Sequence, residues 1–194
     1  MSTVHVAASA DYRRARAELL AAEGELRAAA AAVAALRAAL PQGPDVDASS
    51  PLTTAGGKPI TLDDVFGDHR TLLAYHLAFD ILSEEPDEEG ARDVDALDAQ
   101  VPWLRERTAI AVFAPVPPHV LARLAQQRAW RWIVPISTQP GDLSDRLRDT
   151  PGTASTRTAS TSAVLIREGA TARLHWHGRT TLTAPLLHLL PQPE

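Results

Sequence analysis

Residues 51–79, PLTTAGGKPITLDDVFGDHRTLLAYHLAF, carry the reading that decides the fold. Leu52–Thr54 and Pro59–Thr61 flank Ala55-Gly56-Gly57-Lys58, and two short extended runs around a glycine pair predict a hairpin. Thr61 with Asp64 three residues later is a box-like capping pattern that predicts a short helix through Phe66. Thr71–Phe79 is apolar almost throughout, as a strand covered on both faces must be. Downstream, Pro86–Arg107 predicts a helix with acid in its first turn and Val94, Leu97, Val101 and Leu104 on one face. Ala109–Ala114 then predicts a strand, Pro118–Ala129 a helix and Trp132–Ser137 a third strand. Ser162–Arg167 and Thr171–His177 predict a hairpin around Glu168-Gly169, and Leu182–Leu190 a closing helix. The order β–α–β–α–β–β–α is that of an α/β domain, three layers deep, with a central mixed sheet and helices on both faces.

Upstream of this stretch, Ser9 can cap a helix, Asp11 suits its positive end, and Pro41, Gly43 and Pro44 stop it. Tyr12, Leu19, Leu26, Val33 and Leu40 recur every seven residues, and Ala15, Ala22, Ala29 and Leu36 fill a second row. A helix over residues 10–40 would run roughly 45 Å at 1.5 Å per residue. It reads either as a dimerisation or docking arm or as a helix packed on its own domain; a homodimer through this helix is the expected assembly. Residues 41–51 read as a linker. The expected organisation is therefore residues 1–50, long helix and linker, followed by an α/β domain over residues 51–194.

The chain has 194 residues, net charge -5 and no cysteine. Disulfides, thiolate metal sites, iron–sulfur clusters and cysteine nucleophiles are thereby excluded. A pI near 5.8 gives no field that would favour nucleic acid or an anionic membrane, so neither is expected as a partner. Lys58 is the single lysine, in a predicted turn, which argues against Schiff-base chemistry. Ala28–Leu36 is apolar but too short to cross a bilayer, and Met1–Ala10 has no basic region or apolar core of a secretory signal. A cytoplasmic location is the default. No P-loop, dinucleotide fingerprint, nucleophile elbow or HExxH motif occurs, and no cofactor is expected.

The order of elements is that of a thioredoxin fold, and residues 51–79 resemble the opening of peroxiredoxin-like proteins, with Gly57-Lys58, Leu62, Asp64 and Phe66 fitting G-K-x-x-x-L-x-D-x-F. The chain as a whole resembles the bacterial domain-of-unknown-function 899 family of thioredoxin-like proteins. The resemblance lies in Arg16–Leu26 (R-x-E-L-L-x-x-E-x-E-L), Tyr75-His76 with Phe79, Val101-Pro102 before Leu104, Trp130-Arg131-Trp132, and Arg167-Glu168-Gly169. It implies a paired-cysteine site at the start of the helix after the Tyr75–Phe79 strand. Here that position falls on Asp87-Glu88-Glu89-Gly90. The proline that precedes the next core strand in thioredoxins is also missing, with Ser160-Thr161-Ser162 in its place. Carboxylates favour a helix N-terminus as a thiolate does but cannot exchange disulfides.

A thioredoxin fold gathers at one edge the exit of the first core strand, the following helix start and the loop before the hairpin. On this chain that edge nominates His76 as a base and Glu88 as its acidic partner. Tyr75, Phe79, Asp87, Arg92, Arg157, Ser160 and Ser162 are the nominated binding residues. Each has a plainer reading: a hydrogen-bonded strand-end histidine, a solvated acidic helix start, a surface loop. No metal is expected; His175 and His177 are weak candidates, two residues apart on a predicted strand with no third ligand at matching spacing. Trp130, Trp132 and Trp176 suit a pocket or edge cover. Two functions stay open: a non-redox protein that binds a small molecule or a protein partner, or a non-redox enzyme reusing the vacated edge for acid–base or metal-assisted chemistry.

Overall fold

The computed structural model describes residues 9–80, 82–148, 159–169 and 171–179. The chain divides into two units, Met1–Ala39 and Leu40–Glu194. The first holds α1 (Ala10–Ala38), capped by the Ser9 side chain, which accepts from the Tyr12 amide; none of its residues is buried. No helix among the described residues is long and apolar enough to cross a membrane.

In the second unit the chain runs β1 (Asp45–Val46), β2 (Pro51–Thr54), β3 (Pro59–Thr61), α2 (Leu62–Phe66), β4 (Thr71–His76), β5 (Phe79–Asp80) and β6 (Glu85–Pro86). It continues with α3 (Glu88–Asp98), α4 (Val101–Leu104), β7 (Ala109–Ala114), α5 (Pro118–Gln127), β8 (Ile136–Ser137), α6 (Leu143–Arg148), β9 (Thr161–Glu168) and β10 (Thr171–Gly178). Eight strands form one mixed sheet in the order β1-β10-β9-β4-β7-β8-β2-β3. β4, β7 and β8 run parallel, while β9 lies antiparallel to β4 and β10.

Alternation along β4 sends its side chains to two separate cores. Leu73 and Tyr75 join Val94, Leu97, Leu104, Val120 and Leu121, the apolar faces of α3, α4 and α5. Leu72 and Ala74 join Leu62, Phe66, Leu143 and Leu147, from α2 and α6. This is the expected three-layer, thioredoxin-like fold, preceded by the long helix. The capping box is present, with Thr61 and Asp64 each satisfying the other's backbone amide.

Three local expectations are modified in the fold. Residues 41–51 contribute to the sheet instead of forming only a linker: Asp45–Val46 pair with β10, and a Cβ on Gly43 would lie 2.1 Å from the Leu174 carbonyl oxygen. The helix expected over Pro86–Arg107 is two, α3 and α4, because Pro102 has no amide to continue the ladder. The strand expected at Trp132–Ser137 narrows to Ile136–Ser137: the Asp98 carboxylate takes the amides of Arg131, Trp132 and Ile133, and Pro135 has none to give. Helix α6 carries no cap signal that the sequence reading used. The helix expected at Leu182–Leu190 lies outside the described residues.

Candidate functional site

Strand β4 ends at a small cleft, about 230 Å³, lined by Tyr75, Asp87, Glu89, Gly90, Asp93, Ser160 and Arg179. Asp87 is the residue before α3, yet its carboxylate caps no amide of that helix. Instead Asp87 Oδ2 accepts from the Ser160 hydroxyl at 2.8 Å and from the Ser160 amide at 3.3 Å. The Ser160 oxygen in turn accepts from the Ala78 amide at 3.1 Å, and the Asp87 amide donates to the Ala78 carbonyl. Three chain segments are thus tied at one point: the exit of β4, the start of α3 and the entry to β9.

Gly90 faces this knot. A Cβ at position 90 would lie 2.0 Å from Ser160 Oγ and 3.0 Å from Asp87 Oδ2. One turn on, Asp93 accepts a 3.1 Å hydrogen bond from the Tyr75 hydroxyl. Burial pushes the Tyr75 phenol well above its ordinary pKa, and the Asp93 carboxylate pushes it further, so Tyr75 stays a neutral donor across physiological pH. At the rim Arg179 lies 3.9 Å from Glu89, both well exposed. The cleft offers carboxylates, two hydroxyls and a guanidinium, and no thiol.

Of the nominated residues, the structure brings Tyr75, Asp87 and Ser160 together. Phe79 is buried in the α3-side core, and Ser162 is buried within β9, in register with Tyr75 and Gly178. Arg92 pairs with Glu88 on the exposed surface at 3.6 Å. Glu88 also pairs with Arg128, which bonds Asp95 at 3.1 Å, and Asp95 accepts from the Trp130 indole at 2.7 Å. His76 is buried and does not meet Glu88: it alternates with Tyr75, so it points to the α2/α6 face, whereas Glu88 belongs to α3 on the other. Arg157 lies outside the described residues.

Sequence reasoning missed Asp93 and Arg179, whereas Glu89 falls in the position assigned to the paired cysteines. Asp93 had a readable signal: it follows Gly90 by three residues, hence shares its helix face, and a tyrosine in an apolar strand needs a partner for its hydroxyl.

His175 and His177 lose the regular two-residue spacing, because the β10–β9 register shifts between Leu174 and Trp176. Among the described residues no three His, Cys, Asp or Glu side chains gather as a metal site. His177 Nε2 lies 3.1 Å from Thr161 Oγ1, and burial lowers the pKa of both imidazoles. A histidine whose folded pKa is depressed stabilises the fold fully above its unfolded value near 6.5, and that contribution is lost as pH falls below it. His177→Gln is therefore expected to reduce the fall in melting temperature between pH 7.5 and pH 5.5. Equal falls in both proteins would remove His177 from the acid sensitivity.

The family model described as bacterial protein of unknown function (DUF899) matches residues 1–174. The chain belongs to the DUF899 family. No curated protein matches this DUF899 chain. Among solved structures it is similar to PrxQ of Xylella fastidiosa, solved as a Cys-to-Ser mutant, at 11% identity and TM-score 0.51, over 77% of this chain and 91% of that one. It is also similar to a putative electron transport protein from Aquifex aeolicus, at 10% identity and TM-score 0.52, over 71% and 87%. These likenesses establish a thioredoxin-like fold in a DUF899 member without cysteine.

Proposed function

We propose that this DUF899 protein binds a small polar molecule in the cleft between β4, α3 and the entry to β9, and that it performs no thiol–disulfide or thiol-peroxidase chemistry. The knot of Asp87, Ser160 and Gly90 carries the reading. The positions that the family resemblance assigns to paired cysteines hold a carboxylate bonded to a serine and a glycine with no room for a side chain. What is left beside them is a cleft of molecular rather than macromolecular size, with Tyr75 and Asp93 fixed in its wall. Acid–base catalysis by His76 with Glu88 is not part of this reading, because the two belong to opposite faces of the sheet.

The test pairs two measurements. Insulin reduction and peroxide consumption should stay at buffer level, and turnover above buffer would overturn the loss of thiol chemistry. A thermal-shift screen of small metabolites should yield ligands that raise the melting temperature of the natural protein and lose that effect in Tyr75→Phe or Asp87→Asn. Shifts equal in all three proteins would move the binding site away from the cleft.

The same proposal includes assembly as a homodimer through α1. Its repeating row of Tyr12, Leu19, Leu26 and Val33 lies exposed along the helix, as does Leu36 in the second row. The alanines of that row, Ala15, Ala22 and Ala29, permit close approach of a second helix.

A further inference from the structure

Two of the four tryptophans are about half exposed, Trp103 at 50% and Trp132 at 44%, and Val134 is 61% exposed. Trp103 lies in α4, and Trp132 and Val134 lie in the loop before β8. This surface is held from beneath: Leu104 and Ile133 are buried in the α3-side core, and Asp98 fixes the loop through three backbone amides. Arginines lie over both rings, Arg105 5.9 Å from the Trp132 centroid and Arg107 5.4 Å from that of Trp103. The Arg105–Trp132 contact ties the segment of α4 to the loop, and Trp103 with Arg107 lies on that same segment, residues 101–107.

The arginines of this face differ from most others in the domain. Arg128, Arg146, Arg167 and Arg173 are ion-paired to carboxylates. Among the described residues Arg105, Arg107 and the exposed Arg131 have no carboxylate partner, and Glu106, exposed between the first two, pairs with neither. Guanidiniums bind carboxylates in bidentate geometry, and Trp and Arg are the side chains that dominate protein-interface hot spots.

We propose that this face docks an acidic segment of a partner protein, with its carboxylates on Arg105, Arg107 and Arg131 and an apolar side chain against Trp103, Trp132 and Val134. Three guanidiniums make too few phosphate contacts to hold an anionic bilayer or a nucleic-acid backbone against a chain of net charge -5. A peptide with matched carboxylates and one apolar anchor uses both halves of the face. The cleft lies at the start of α3 and this face beyond its end, about 16 Å along an 11-residue helix, so neither proposal depends on the other.

Fluorescence anisotropy with a labelled decapeptide of alternating glutamate and leucine tests this on the full chain. Binding is expected to weaken at least about tenfold, the mark of a hot-spot residue, in both Trp132→Ala and Arg107→Glu. Melting curves of the variants should match that of the natural protein, since both side chains are exposed. Trp103→Phe, which keeps a ring under Arg107, is expected to retain most of the affinity. No binding up to about 1 mM peptide, where association is only about 4 kcal/mol, overturns the proposal. So does an equal affinity in the natural protein and the variants. Association with phosphatidylserine vesicles or single-stranded DNA but not with the peptide overturns the choice of partner.

Discussion

Gly90→Ala is expected to destabilise the protein by about 3 kcal/mol, a penalty of the size set by overpacking and the loss of a charged hydrogen bond. By helix propensity alone the change should help, since alanine exceeds glycine by about 1 kcal/mol in a helix. The sign reverses because the new methyl group would sit 2.0 Å from Ser160 Oγ and 2.7 Å from Ser160 Cβ. Ser160 cannot turn aside without loss, being held by the Ala78 amide and the Asp87 carboxylate. For a chain of this length the melting temperature should fall by about 6–12 °C. Removing the obstruction supplies the control: in a Ser160→Gly background the same Gly90→Ala change should be neutral or stabilising. A Gly90→Ala protein that melts at or above the natural temperature would show that the contact does not exist. The same geometry bears on chemistry, for a cysteine at position 90 would meet Ser160 as alanine does, so Asp87→Cys with Gly90→Cys is not a route back to a dithiol while Ser160 remains.

Leu19→Glu with Leu26→Glu is expected to dissociate the proposed dimer, raising its dissociation constant by more than about a thousandfold. Each change would set a carboxylate into the seam, and uncompensated buried charges cost several kcal/mol each. In the single chain the two leucines are 51% and 71% exposed, so the substitutions should leave the melting of the α/β unit unchanged. Light scattering or sedimentation reads the outcome. A natural protein that is monomeric at micromolar concentration would overturn the assembly outright.

The separability of these expected effects follows from what fixed each element. Local signals were legible wherever they were self-sufficient. Ser9 capping Tyr12, Thr61 boxing with Asp64, and the largely apolar run from Thr71 need only neighbours in sequence, so they determined α1, α2 and the existence of the central strand. The strand expected to Phe79 ends at His76, and Phe79–Asp80 pairs in a separate two-stranded sheet. The order of strands and helices likewise determined a central mixed sheet with helices on both faces, because few topologies accept that alternation, and the resemblance of its motifs to the DUF899 family implied the thioredoxin-like class. The absence of cysteine, a fact of sequence alone, removed thiol chemistry.

Elsewhere long-range contacts decided. The segment around Trp132 reads as a strand until Asp98, over thirty residues away, claims its amides. His76 and Tyr75 are adjacent in sequence and equally plausible as site residues; the pleat of β4 turns them to opposite faces of the sheet, and Tyr75 is the one that lines the cleft. Ser160 meets Asp87 across 73 residues, a pairing no local pattern encodes. The sequence therefore determined which elements exist and what chemistry is impossible. The tertiary structure decided which polar side chains share the cleft, because that depends on strand register and on which face of the sheet each helix covers.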